Sequence, residues 1–392
     1  MSARRPTRPL IFAVTGMGLL NNSLLMSSTP EILETFDAPT SRAGLLIACG
    51  TVTGIVAAPA MGFLADRFGR KRVLIPCLVV FGAFGTLGGL APSLGWLLAA
   101  RVCQGIGSAG LINLAVVIIS DHWGGLDRAR LIGQNSAVIT ACLAVFPFLG
   151  GATTDLFGWR WMFSFYTTAL VVAAVLALRL ADPWVPRREP VGAQVRRALG
   201  EARRPAVAAV ILLDGTLFFV MFGLFLTVMP IHLDEVFGLG PTQRGLIAAA
   251  PAVTSTVAAL VVARARGRVS AGRLVQVGMV VLAGTFLLMG VGPLWLLVAG
   301  AAVYGLAEGL TIPTLQDLVA EWAPEQARGA VIALSVGVLR LGQTTGPLAF
   351  GLAFGWWSGS TVFVLAGIGV LAVTGLVAAS RIIETGAPAA TR

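Results

Sequence analysis

Apolar residues along this chain come in long blocks separated by short polar stretches. Runs nearly free of Asp, Glu, Lys and Arg cover residues 10–30, 43–65, 73–92, 95–119, 131–152 and 160–181, then 206–230, 244–263, 274–291, 294–319, 329–351 and 360–380. Each is close to the roughly 20 residues an α-helix needs to cross a hydrocarbon core. The pattern predicts an all-α membrane protein of twelve transmembrane helices in two sets of six. The first run follows Arg4, Arg5 and Arg8 as a signal peptide would, but no small-residue cleavage site follows and the run is too long. It reads as a retained helix.

Composition agrees, with 56% hydrophobic residues, 12% charged residues and a mean hydropathy of +0.86, where soluble chains carry about 25% charge. At 392 residues little is left over for a soluble domain. The net charge of +10 would suit nucleic acid, but its distribution argues otherwise. Only Arg42, Arg160 and Arg244 fall in the alternate loops assigned outside, and Arg101 and Arg340 fall within runs, leaving 23 of the 28 Lys and Arg on one side. This positive-inside bias predicts cytoplasmic termini and no nucleic-acid partner. Arg outnumbers Lys 27 to 1, with abundant Ala and Gly, as in a GC-rich bacterial genome.

Cys49, Cys77, Cys103 and Cys142 lie in four different runs with no CxxC spacing and read as packing residues. His122 and His232 are isolated and expected in loops, so no metal site is predicted. A membrane-embedded enzyme would need a nucleophile with its base, or a metal cluster; neither GxSxG nor HExxH occurs. Gly105-Ile106-Gly107-Ser108-Ala109-Gly110 fits the dinucleotide fingerprint but follows no strand, so it reads as helix packing. Asn21-Asn22-Ser23 fits a glycosylation sequon but sits mid-span.

The halves repeat at an offset near 200 residues. Pro30, Leu33, Glu34, Phe36, Pro39, Thr40, Arg42 and Gly44 are echoed by Pro230, Leu233, Asp234, Phe237, Pro241, Thr242, Arg244 and Gly245; Gly105, Arg128, Pro147 and Gly151 by Gly305, Arg328, Pro347 and Gly351. Residues 1–181 and 206–392 therefore read as two pseudo-symmetric six-helix bundles, with a site at their interface near the bilayer midplane. Residues 182–205 read as a cytoplasmic linker. Val191, Val195 and Leu199 at helical spacing opposite Arg196, Arg197 and Arg203 suggest a helix on the inner leaflet, with a mobile loop as the alternative.

The loop after the second run reads Gly62-Phe63-Leu64-Ala65-Asp66-Arg67-Phe68-Gly69-Arg70-Lys71-Arg72. It resembles the signature loop of the major facilitator superfamily, its twelve-helix drug:proton antiporter branch in particular. Gly62 would permit close helix contact, Gly69 a tight turn, Asp66 a bond to a helix N-terminus and Arg70 one to a helix C-terminus. A merely basic cytoplasmic turn is the bland alternative. The equivalent second-half loop, Arg264-Ala265-Arg266-Gly267-Arg268, keeps Gly-Arg but lacks the acid. Arg101, Gln104, Gly105 and Gly107 resemble the family's helix 4 motif, and Gly158-Trp159-Arg160-Trp161-Met162-Phe163 the start of its helix 6. The antiporter motif of helix 5 is partial: Gly133, Pro147, Gly150 and Gly151 fit, while Cys142 and Phe146 replace glycines. Span 11 keeps Gly342, Gly346, Pro347 and Gly351. The usual acid of helix 1 is absent, with Asn21 near its place.

The resemblance implies secondary transport without cofactor, driven by a proton gradient, by a monomer surrounded by lipid. We expect efflux of small amphipathic or drug-like molecules from a bacterial cytoplasmic membrane; a sugar, amino-acid or metabolite carrier, a channel or a transport-dead sensor are the alternatives. A gating contact is expected between Asp66, with Arg67 and Lys71 beside it, and Arg328 at the start of span 11. Arg101, Asp214, Glu308 and Arg340 stand inside spans at a cost of about 2.5–3.5 kcal/mol each, so function or pairing must account for them. Asp214, Glu308 and Arg340 reach roughly 12–17 Å into a core about 30 Å thick and are expected to form a proton-responsive cluster, with Glu308 on Arg340 and Asp214 as the better proton carrier. Phe218, Phe222 and Phe225 share the helical face of Asp214, which suits a lipophilic cation; a buried ion pair with lipid-facing phenylalanines is the alternative. Arg101, Gln104 and Ser108 form a stripe expected to face the cavity or, in the bland reading, to bond backbone carbonyls. Asn21 and Asn22 complete the candidate substrate residues.

Overall fold

The computed structural model describes residues 7–180, 200–201, 203–265, 268–323 and 328–380. Within them the apolar runs fold as helices: α1 (Arg8–Thr35), α2 (Thr40–Phe68), α3 (Arg70–Gly88), α4 (Leu94–His122), α5 (Gly125–Phe157), α6 (Trp159–Arg179), α7 (Pro205–Phe237), α8 (Pro241–Ala265), α9 (Ala271–Val291), α10 (Leu294–Trp322), α11 (Arg328–Phe354) and α12 (Gly359–Ser380). All but α11 meet criteria of length and hydropathy for crossing a membrane over their described residues. The protein is an all-α membrane protein of twelve helices.

Helix ends overrun the apolar runs. α5 spans 33 residues, beginning at Gly125, ahead of the expected 131, because hydropathy marks the part in lipid whereas the helix continues through Asp127–Arg130. Turns between helices are correspondingly short. Gly69 separates α2 from α3 at φ 101° and Gly158 separates α5 from α6 at φ 87°, a backbone region that a Cβ disfavours. The histidines depart from expectation: His122 is the last residue of α4 and His232 is buried within α7. Most of the expected linker, including its surface helix, lies outside the described residues.

The chain divides into two compact units, Met1–Arg188 with Gly238–Leu246, and Glu189–Phe237 with Ile247–Arg392. In the first, α3 packs on α4 and α6, and α1 on α5; in the second, α9 packs on α10 and α12, and α7 on α11. The two units thus use the same internal pairings. Small residues let the backbones meet, which matters in lipid because dispersion and hydrogen bonds replace the hydrophobic drive. A Cβ on Gly107 of α4 would fall 2.5 Å from the Cys77 carbonyl oxygen of α3, and one on Gly105 would fall 2.9 Å from the Gly50 carbonyl oxygen of α2. The glycines of the dinucleotide-like run are therefore spent on helix packing. Gly342 and Gly346 of α11 likewise seat against the carbonyls of Gly215 and Phe219 of α7.

Helix α7 is not a uniform α-helix. Residues Met221–Val228 wind as a π-helix, and the Thr227 hydroxyl donates to the Phe222 carbonyl at 2.9 Å. The wider turn shifts every later side chain relative to Asp214.

Candidate functional site

In the first unit the expected polar residues converge. Arg101, 1% exposed, donates through Nη1 to Asn21 Oδ1 at 3.1 Å and Gln104 Oε1 at 2.7 Å, and through Nη2 to Asn22 Oδ1 at 2.5 Å. Its Nε donates to the Leu46 carbonyl at 3.4 Å. Asn21 Nδ2 donates to the Gly50 carbonyl at 2.8 Å and to Ser108 Oγ at 3.4 Å, so one arginine ties α1, α2 and α4 together. Tyr166 adds α6 through its hydroxyl, which donates to the Leu20 carbonyl at 3.2 Å. The cavity-facing stripe needs correction: Gln104 and Ser108 are 0% and 6% exposed and, with Arg101, pack inside the unit. A planar guanidinium with five donors can satisfy several neutral oxygens at once, and here it turns inward to do so.

In the second unit Asp214 is 1% exposed. Its Oδ2 accepts from Ser335 Oγ of α11 at 3.3 Å, and its Oδ1 has no hydrogen-bond partner among the described residues. Arg340 does not reach it. Its Nη1 donates instead to Gln343 Oε1 at 3.2 Å, along its own helix. Among the described residues no ion pair within 4.0 Å joins Asp214, Glu308 and Arg340, so the expected Glu308–Arg340 pair is not formed in this structure. The aromatic face is also revised. Phe218 and Phe222 are half-buried with ring centroids 6.2 Å apart, but Phe225 is buried and stacks on Tyr304 of α10 at 4.3 Å. The π segment moves Phe225 off the face that a regular helix would have given it.

In the signature loop Asp66 pairs with Arg70, whose Nε also donates to Asp121 Oδ2 of α4 at 3.0 Å. Lys71 Nζ donates to the Ala177 carbonyl at 2.6 Å near the end of α6, where a cation complements the helix dipole. Arg67 is exposed and lies over the Phe68 ring. Gly62 departs from expectation: a Cβ there would meet nothing within 4 Å, because that side of α2 is open. The side chain of Arg328, the expected partner of Asp66, lies outside the described residues.

The Major Facilitator Superfamily family model matches residues 11–239 and again residues 211–391. The chain belongs to the Major Facilitator Superfamily. Relatives of this superfamily member include the bacillibactin exporter of Bacillus subtilis, 24% identical over 84% of this chain and 85% of that one. The multidrug efflux pump LfrA of Mycolicibacterium smegmatis is 28% identical over 94% of this chain and 85% of that one. Among solved structures, an inward-facing bacterial homolog of the human lysosomal transporter Spinster covers 97% of this chain and 98% of its own at TM-score 0.79 and 17% identity. A POT family transporter covers 96% of both chains at TM-score 0.80 and 11% identity. Both show the fold.

The Major Facilitator Superfamily is a family of transporters, not enzymes, so the buried polar groups of this member serve binding, coupling or architecture. Sequence reasoning missed three of them, Asn135, which accepts from Thr15 Oγ1 at 2.7 Å, Tyr166 and Ser335, and also the exposed Asp121 that receives Arg70. The repeat carried a signal for two. Thr15 and Asn135 stand 199 and 200 residues before Asp214 and Ser335, so the two hydrogen bonds occupy equivalent places in the two units.

Proposed function

We propose that this superfamily member is a proton-coupled exporter of small amphipathic or drug-like molecules, acting by alternating access in a bacterial cytoplasmic membrane with both termini inside. The names of its relatives support export. The positive-inside pattern supports the orientation.

The observation that carries proton coupling is the contrast between the two helix ties. Thr15 and Asn135 hold α1 to α5 with a neutral pair, which is all that a structural tie requires. Asp214 and Ser335 hold α7 to α11 in the same way, yet one partner is a buried acid with, among the described residues, no cation within 4.0 Å and one oxygen unpartnered. Burial penalises a charged carboxylate, so such a group takes up a proton when water withdraws and releases it when water returns. Glu308, half-buried beside Tyr304, is the second candidate.

Inverted membrane vesicles loaded by an imposed pH gradient test the reading. Uptake of ethidium, an amphipathic cation, should follow the gradient, collapse with a protonophore and fall at least about tenfold in Asp214→Asn. Gradient-independent uptake, or wild-type uptake by that variant, would contradict it.

A further inference from the structure

Arg101 and Arg340 both stand inside membrane helices, one in each unit, and their surroundings differ. All three side-chain nitrogens of Arg101 donate, to Asn21, Asn22, Gln104 and the Leu46 carbonyl. Of the Arg340 nitrogens only Nη1 donates to a described residue, Gln343 Oε1 at 3.2 Å, and the buried Nε has no partner among the described residues. No described carboxylate lies within 4.0 Å of it, Asp214 and Glu308 included. A buried acid can shed its charge by taking up a proton, but a guanidinium stays protonated at every physiological pH. Arg340 therefore keeps a full positive charge within a membrane helix, with one neutral acceptor for its five N–H donors.

Neither packing nor lipid accounts for this charge. At an offset of 200, Arg340, Gln343 and Thr344 of α11 correspond to Thr140, Leu143 and Ala144 of α5, so the fold does not require a cation here. Gly342 and Gly346 give α11 its contact with α7, and Arg340 lies about 160° around the helix from Gly342, away from that contact. It stands twelve residues after Arg328 and fourteen before Phe354, roughly 18 and 21 Å along the axis, too deep for its side chain to reach the headgroups at either end. Gln343 and Thr344 beside it are buried, whereas Arg340 itself is only half-buried, so its fork stays open to a ligand. Parallel N–H groups of this kind match the two oxygens of a carboxylate. We infer that Arg340, aimed by Gln343, is a subsite for a carboxylate carried by the transported molecule, so that amphipathic acids and zwitterions are among the substrates of this member. That the bound molecule is also exported rests on the reading above.

A pair of dyes isolates the carboxylate. Rhodamine 110 carries a free carboxylate and rhodamine 123 is its methyl ester, so the two share one fluorophore and differ at that group alone. Binding of each to the purified full-length protein in detergent is measured at equilibrium by fluorescence polarisation. The wild-type protein should bind rhodamine 110, and Arg340→Gln should weaken that binding at least about tenfold more than it weakens binding of rhodamine 123. Arg340→Lys, which keeps the charge without the planar fork, should show the same difference at about threefold or more. The second variant keeps the comparison available if the first does not fold, and a general loss of structure would weaken both dyes alike. Equal effects on the two dyes in folded variants, or no binding of rhodamine 110 by the wild-type protein, would overturn the proposal. The measurement uses no gradient, so a failure of gradient-driven ethidium uptake would sink the export reading and leave the carboxylate subsite standing.

Discussion

Arg101 donates to Asn21, Asn22, Gln104 and the Leu46 carbonyl with no carboxylate among these partners, so its value is the number of neutral acceptors it serves. Removing it leaves several buried oxygens short of donors. Arg101→Ala should lower the unfolding free energy in detergent by at least about 3 kcal/mol, and Arg101→Lys should recover only part of it, because an ammonium lacks the planar fork. Tryptophan-fluorescence melting measures this; wild-type melting of Arg101→Ala would contradict it. The composition of this cluster was legible in the sequence as polar residues in apolar runs. Its direction was not: spacing puts Arg101, Gln104 and Ser108 on one face of α4 but cannot say whether that face meets a cavity or the asparagines of α1. Ser335 was missed because serine is inexpensive in a membrane helix, so it stood out only once Asp214 was seen bonded to it. The sequence reading put Glu308 and Arg340 at similar depth, which suggests a pair, but depth does not set the direction of a long side chain, and Arg340 turns to Gln343.

The helices were more legible than their ends or their side-chain contacts, since every apolar run became a helix and the repeat pointed to two similar bundles, which share their helix pairings. The α7–α11 contact shows what the pattern could not convey. Gly215, Gly342 and Gly346 bring the two backbones together, and α7 widens into its π segment beside them, where a Cβ on Gly223 would meet Phe350. A face drawn at 3.6 residues per turn fails beyond Met221 for that reason, and Phe225 ends on Tyr304. Gly342→Val should destabilise by about 1–3 kcal/mol or more through forced separation of the helices. Gly62→Val, whose Cβ meets only open space, should change stability by less than about 0.5 kcal/mol. Thermal melts of the two variants side by side decide this. Equal destabilisation would mean that glycine packing is not what sets the α7–α11 distance.

At the scale of the whole molecule the two units share helix pairings and differ in charge. The α4 sequence Arg101, Gln104 and Ser108 becomes Ala301, Tyr304 and Glu308 at an offset of 200, and the Thr15–Asn135 tie becomes Asp214–Ser335. One unit keeps a well-bonded cation at this place and the other keeps acids, and the proposed function assigns proton exchange to the second. The most direct test moves the neutral tie into the second unit, as Asp214→Thr with Ser335→Asn, which keeps a hydrogen bond between α7 and α11 while removing the acid. In proteoliposomes containing a pH indicator, the wild-type protein should move protons when ethidium is added on the outside. The double variant should still exchange labelled for unlabelled ethidium across the membrane but move no protons. Proton movement at the wild-type rate in that variant would contradict the account.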